Sequence, residues 1–197
     1  MKKIVIILLI LLEFSLSANE DNNISIEHTG KRTGLFLSLG GGMSQEQLDF
    51  LNDSKLDRSE TYYALATNFK VGIFLDENLG IFYSNYTSFY SAPHINNGVN
   101  SDSIYLDALN GVGVIYYLDS LPNFYLSASA GIATFMTIGE KNADFGSTYM
   151  LACGYEFENN VNIEIVLRKF ADISSNDYSY LSTETQSSQI LVGYTFY

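Results

Sequence analysis

The sequence is poor in the residues that build crosslinks, metal centres and rigid linkers. Its one cysteine, Cys153, excludes an intramolecular disulfide and a Cys-based zinc site. Two histidines, His28 and His94, argue against a multi-histidine metal centre. Two prolines exclude a Pro-rich linker. Tryptophan is absent, so the aromatic content of 14% is all Tyr (15) and Phe (13). Basic residues number 10 against 22 acidic ones, a net charge of −12. That balance opposes binding to nucleic acid or to anionic membrane surfaces through charge. Charged residues make up 16%, below the roughly 25% usual for soluble domains. A chain of 197 residues is one domain's worth. Neither a metal nor a cofactor is expected, and nucleic acid is not an expected partner.

The chain opens with Met1-Lys2-Lys3, a short basic segment, followed by an unbroken apolar run from Ile4 to Leu12. Glu13 to Ser17 leads to Ala18, a small residue suited to cleavage. This predicts a secretory signal peptide over residues 1–18. Nine residues at about 1.5 Å each fall short of a hydrocarbon core of about 30 Å. Removing 1–18 removes two lysines and one glutamate, taking the net charge from −12 to −13. Residues 19–32, which carry His28, are polar and expected to be a flexible periplasmic tail. The remaining residues, 33–197, form the domain.

In that domain apolar residues recur every second position. Leu35, Leu37 and Leu39 share one face, and Ser38, Gly40 and Gly42 the other. Tyr63, Leu65, Phe69, Val71 and Ile73 alternate with Ala64, Ala66, Asn68, Lys70 and Gly72. Similar runs carry Ile104 to Tyr116, Phe124 to Ile132, Tyr149 to Tyr155, Val161 to Leu167 and Ile190 to Phe196. Leu79 to Tyr90 is strand-like too, but either Ile81/Tyr83 or Phe82/Tyr86 could face out. Successive side chains of a strand point to opposite faces, so these are eight two-faced strands. Short connections at 75–78, 119–122 and 158–160 alternate with longer ones at 44–60, 91–102, 137–146 and 171–184. Within the first of these, Gln45 to Leu51 could form a helical turn. The pattern predicts an all-β fold, an eight-stranded antiparallel up-and-down barrel.

The second face decides whether the barrel is soluble or transmembrane. It holds Gly and Ser with Lys70, Asp107, Glu156, Glu164 and Arg168. An eight-stranded interior is just wide enough for side chains to fill it, so small residues with a few paired charges suit a lumen. The apolar face then turns to lipid. Aromatic pairs sit near strand ends: Tyr62/Tyr63, Phe89/Tyr90, Tyr116/Tyr117, Phe124/Tyr125 and Tyr155/Phe157. They read as interfacial girdles, where an amphipathic ring sits at headgroup level.

The sequence ends Ile190-Leu191-Val192-Gly193-Tyr194-Thr195-Phe196-Tyr197. With the Gly-rich segment Leu106 to Tyr117 and the strand-turn-strand segment Gly154 to Ile163, it resembles the small eight-stranded outer-membrane β-barrel superfamily. The likeness is to the opacity-protein, OmpA-transmembrane-domain and OmpW-like porin types, over about residues 30–197. The resemblance implies a bacterial outer-membrane location after Sec-type export, with outer-membrane lipid and lipopolysaccharide as surroundings. It also implies that Tyr194, Phe196 and Tyr197 form the signal read by the barrel-assembly machinery.

Five interior charges, Lys70, Asp107, Glu156, Glu164 and Arg168, are the sharpest candidate site. They form a lumen charge network that either plugs the barrel or gates a thin water path. The gate reading predicts that Arg168→Ala raises ion flux. An enzyme reading draws on small outer-membrane barrels that modify lipid A with a His and a Ser near the outer rim. His94, with Ser88, Ser91 and Asp102, is the candidate set, but Ala92 to Asn96 lacks a tight His-x-Ser pairing. Cys153 reads as a small lipid-facing residue. Gly40-Gly41-Gly42 lacks the Lys-Ser/Thr of a phosphate loop and reads as a bulged or flexible strand end. Segments 44–60 and 171–184 are candidate contact surfaces for surface partners, and Asp53 and Asp57 lack calcium-loop spacing. The expected function is structural and surface-contacting, with no catalysis and at most a narrow lumen. A small porin or channel for small or hydrophobic solutes is the alternative, and a lipid A-modifying enzyme ranks third.

Overall fold

The computed structural model describes residues 32–52, 55–96, 99–139, 143–174 and 181–197. The expected signal peptide, His28 and the rest of the expected tail up to residue 31 lie outside them. Every regular element among the described residues is a strand: β1 (Gly34–Asn52), β2 (Lys55–Phe74), β3 (Leu79–Asn96), β4 (Val99–Leu118), β5 (Leu121–Thr137), β6 (Ala143–Glu156), β7 (Val161–Ser174) and β8 (Leu181–Phe196). Each pairs antiparallel with the next, and β8 closes on β1. The fold is all-β, a closed eight-stranded up-and-down barrel.

The register fixes the barrel's dimensions. From Ser44 the pairs run through Gln189, Val166, Ala152, Ser127, Ile115, Gly80 and Phe74 back to β1 at Gly34. The circuit returns ten residues away on the same strand, a shear of ten. Eight strands with that stagger tilt by about 40°, enclose a radius of about 8 Å and climb about 2.5 Å per residue along the axis. The strands are 14 to 20 residues long. An apolar band about 25 Å tall needs only about ten residues at that rise.

Three short connections lie at one end with Gly34 and Tyr197. At Leu75–Asn78, Asp76 Oδ1 accepts from the Asn78 and Leu79 amides at 2.8 and 2.7 Å. Asp119 and Ser120 join β4 to β5. The β6–β7 turn closes through the Phe157 amide on the Val161 carbonyl at 2.7 Å, with Asn160 at φ 63°. Asparagine is among the residues that tolerate this left-handed conformation. The other end departs from expectation. Residues 44–52, 55–60, 91–96, 99–102, 143–146, 171–174 and 181–184 are strand rather than loop, and no helical turn occurs over Gln45–Leu51. Acidic residues over 44–60 suggest a solvated loop, but the two-residue alternation continues through Ser44, Glu46 and Leu48, all buried.

Leu35, Met43, Leu65, Val112, Leu151, Val192 and many other apolar side chains point outward and are exposed, while their strand neighbours are buried in the lumen. On β3 the ambiguity resolves with Ile81 and Tyr83 outward and Phe82 and Tyr86 inward. Glycines make room for this choice. A Cβ on Gly113 would lie 2.7 Å from Phe82 Cζ, and one on Gly72 would lie 2.8 Å from Phe82 Cβ.

Candidate functional site: the barrel lumen

The lumen is filled by three tiers of charge. Nearest the short turns, the Glu156 carboxylate accepts from the Tyr117 hydroxyl and from Tyr197 at 2.6 Å. Arg32 Nε lies 4.0 Å from the same carboxylate, and its guanidinium sits 3.7 Å over the Tyr117 ring. In the middle tier, Lys70 pairs with Glu164. Tyr86 and Tyr125 donate to that carboxylate at 2.6 and 2.9 Å. The Lys70 ammonium also lies 5.5 to 5.8 Å from the rings of Phe82, Tyr86 and Tyr125, within cation–π range.

The third tier centres on Arg168. It pairs with Asp107 and lies 3.6 Å from Glu46. It also donates to the Tyr86 carbonyl at 2.8 Å and to Ser88 Oγ at 3.1 Å. Ser187 donates to Glu46 at 2.8 Å, and the Gln189 amide bridges Ser88 and Ser187 at 3.1 Å each. Beyond this tier, Tyr62, Tyr90, Tyr105 and Phe135 form a row of stacked rings along one wall, with centroids 5.6 to 5.8 Å apart and interplanar angles of 20 to 29°.

Charges stripped of water are costly unless paired and hydrogen-bonded. Each tier sets a cation against a carboxylate, but the third holds two carboxylates, Glu46 and Asp107, against Arg168 alone. Among the described residues Glu46 Oε2, Asp107 Oδ2 and Glu156 Oε1 have no hydrogen-bond partner. The tiers also fill space. Between the lower two lies a cavity of about 10 Å³, lined by Phe36, Lys70, Tyr117, Tyr125 and Tyr197 among others. That is room for about one water.

Lys70, Asp107, Glu156, Glu164 and Arg168 are each exposed by 3% or less. Their direct ion pairs fall into separate tiers, and Tyr86 links two of them through its hydroxyl on Glu164 and its carbonyl on Arg168. Glu164 and Arg168, four apart on β7, belong to different tiers, one with Lys70 and the other with Asp107. Sequence reasoning missed Glu46 and Arg32, assigning the first to a loop and the second to a tail. It also placed Tyr62, Tyr90, Tyr117 and Tyr125 in an outer girdle, whereas the last three are buried in the lumen and Tyr62 stacks on Tyr90 there. Their neighbours and partners Tyr63, Tyr116, Tyr155 and Phe157 do face outward. The signal that separates the two sets is parity along the strand, which the paired assignment ignored.

The other candidates scatter. Ser88 is buried beside Arg168, while Ser91 is exposed on the opposite face of β3. The side chains of His94 and Asp102 lie outside the described residues. Tyr194 and Phe196 are exposed outward with rings 4.7 Å apart, and Tyr197 turns its hydroxyl inward to Glu156. Cys153 is a free, half-buried thiol on the outward face. Gly40 to Gly42 lie inside β1, where a Cβ on Gly42 would collide with the Ile190 backbone. Among the described residues no group of three or more His, Cys, Asp or Glu could hold a metal ion.

The closed circuit and the outward apolar face define an eight-stranded antiparallel up-and-down β-barrel. No protein-family model matches the chain, and no curated protein matches it in sequence. Solved structures do. Ail, the attachment invasion locus protein of Yersinia pestis, aligns with 83% of this chain and 99% of its own at TM-score 0.55 and 14% identity. Ail in complex with the heparin analogue sucrose octasulfate aligns over the same shares at TM-score 0.54 and 13% identity. Neisserial surface protein A aligns with 83% of this chain and 96% of its own at TM-score 0.47 and 10% identity. The likeness to Ail, at this identity, shows the fold alone.

Proposed function

We propose that the protein is a non-enzymatic barrel of the Gram-negative outer membrane, closed to solute flow, which serves the envelope structurally and through its outer rim. The observation that carries this reading is the succession of three buried charge tiers across an interior only about 8 Å in radius. Lipid and lipopolysaccharide would surround the apolar face. The barrel-assembly machinery would insert the chain through Tyr194, Phe196 and Tyr197, and segments 44–60 and 171–184 would meet surface partners. A polyanion such as the sucrose octasulfate bound by Ail is a poor candidate ligand here, because a net charge of −12 repels it.

Single-channel recording of the refolded, heat-modifiable barrel in a planar bilayer tests this. Silence is the expected outcome. Steady, salt-dependent current steps would refute the closed reading, support a small porin instead, and turn the lumen charges into selectivity residues.

A further inference from the structure

The lipid-facing surface carries a polar notch where hydrocarbon is expected. The outward positions of β4 run Ile104, Leu106, Ala108, Asn110, Val112, Val114 and Tyr116, so Asn110 stands at the centre of the stripe. At about 2.5 Å of rise per residue, Asn110 is about 15 Å from the level of either end. Asn85 is its direct partner on β3. Thr67 on β2 pairs with Thr87 on β3, and Thr87 pairs with Ala108, whose own partner on β5 is Thr134. These five polar residues share the outward face across four adjacent strands. On the opposite wall the outward positions Leu151, Leu167 and Ile190 are apolar and exposed, and Ser188, the direct partner of Leu167, is a single polar residue among them.

The notch is internally bonded but not saturated. Asn110 Oδ1 accepts from Asn85 at 2.8 Å and from the Tyr83 hydroxyl at 3.1 Å. Thr87 donates to Asn85 Oδ1 at 2.9 Å. That leaves the Asn110 amide NH2, one Asn85 N–H and the Thr67 hydroxyl as spare donors, with the Thr67 and Tyr83 oxygens as spare acceptors, while Thr87 is buried beneath them. Hydrocarbon tails offer neither donor nor acceptor, and polar side chains in the membrane interior ordinarily find a partner. The spare set contains both kinds, so it is complementary to itself. Such a patch suits a twofold contact in which the same surface is used by both subunits. Ala108 and Ala130, on the outward face beside Asn110, let two walls approach closely.

We propose that this wall, centred on Asn85 and Asn110, is the interface of a homodimer within the membrane, a second copy of the chain supplying the missing partners. The inference rests on the membrane-barrel reading above. The full chain would be refolded in detergent, with folding checked by heat modifiability, and its association followed by sedimentation equilibrium. A dimer is expected, and the Asn85→Val/Asn110→Leu variant should bind its own kind about tenfold more weakly or worse. Independently, Asn110→Cys and Leu167→Cys would be compared in a Cys153→Ser background in lipid vesicles. Cross-linking at 110 and not at 167 is expected. A folded wild-type monomer, a dimer unaffected by the double variant, or equal cross-linking at both positions would overturn the interface. A chain that folds in water without detergent would overturn the membrane reading, and the interface with it.

Discussion

Replacing Arg168 by alanine removes the cation shared by two buried carboxylates. Arg168 pairs with Asp107 and lies 3.6 Å from Glu46, and both acids are buried completely. Removing one partner of a buried pair costs about 3–5 kcal/mol, because the other charge stays buried without compensation. Two carboxylates depend on this guanidinium, so the loss belongs at the upper end, about 5 kcal/mol. Lys70→Met is the comparison. Glu164 would keep hydrogen bonds from Tyr86 and Tyr125 at 2.6 and 2.9 Å. Hydrogen bonds to a charged group contribute about 1.5–3 kcal/mol each, so this loss should be smaller, about 2 kcal/mol. The two variants should differ by about a hundredfold in their folded-to-unfolded ratio. Urea unfolding in lipid vesicles, read by the gel shift between folded and heated forms, measures both. The triple variant Glu46→Leu/Asp107→Leu/Arg168→Met should recover most of the loss, since apolar replacement of a whole buried ionic group is often neutral or stabilising. Equal losses in Arg168→Ala and Lys70→Met, or a triple variant as weak as Arg168→Ala, would refute the reasoning. Flux separates plug from gate in the same protein. With the Lys70 and Glu156 tiers intact, Arg168→Ala should stay silent in a planar bilayer, and raised conductance would favour the gate.

Gly154 lies on the lumen face where a Cβ would collide with the Tyr125 ring and hydroxyl. Gly154→Ala should therefore push Tyr125 off Glu164 and cost about 1–3 kcal/mol in the same unfolding assay; an unchanged midpoint would count against the packing argument. At the β2–β3 turn, amide hydrogen bonds from Asn78 and Leu79 hold the Asp76 carboxyl below the usual aspartate range. A depressed folded-state value means that the turn's stabilising contribution is complete above the ordinary value and is lost as pH falls through the lowered one. Asp76→Asn should accordingly lower the unfolding midpoint slightly at neutral pH and leave the acid values little changed, flattening the acid limb of the midpoint against pH. An acid limb of the same slope in both proteins would remove Asp76 from the account.

The class of fold was legible because it depends on parity alone. Leu35, Leu37 and Leu39, or Ile190, Val192, Tyr194 and Phe196, declare their face without reference to any other strand. The same rule, carried past Gly42, would have placed Glu46 inside, but its acidic neighbours suggested a loop. Charge was the weaker guide, since Glu46 is neutralised by a residue on β7 that lies more than a hundred positions away in sequence. Phe82 and Tyr86 show a different limit. Both faces of β3 carry large apolar residues, so parity cannot choose, and what decides is the space left by Gly72 and Gly113 on the strands to either side. The division of the five interior charges into tiers goes one step further. Which cation meets which carboxylate follows from a shear of ten, a property of the closed circuit that no single strand encodes. One residue of slip of β2 against its neighbours would turn Lys70 away from the lumen and leave Glu164 with its tyrosines alone. The ion pairs thus act as a check on register, since only the observed stagger compensates Glu164 with Lys70 and Asp107 with Arg168.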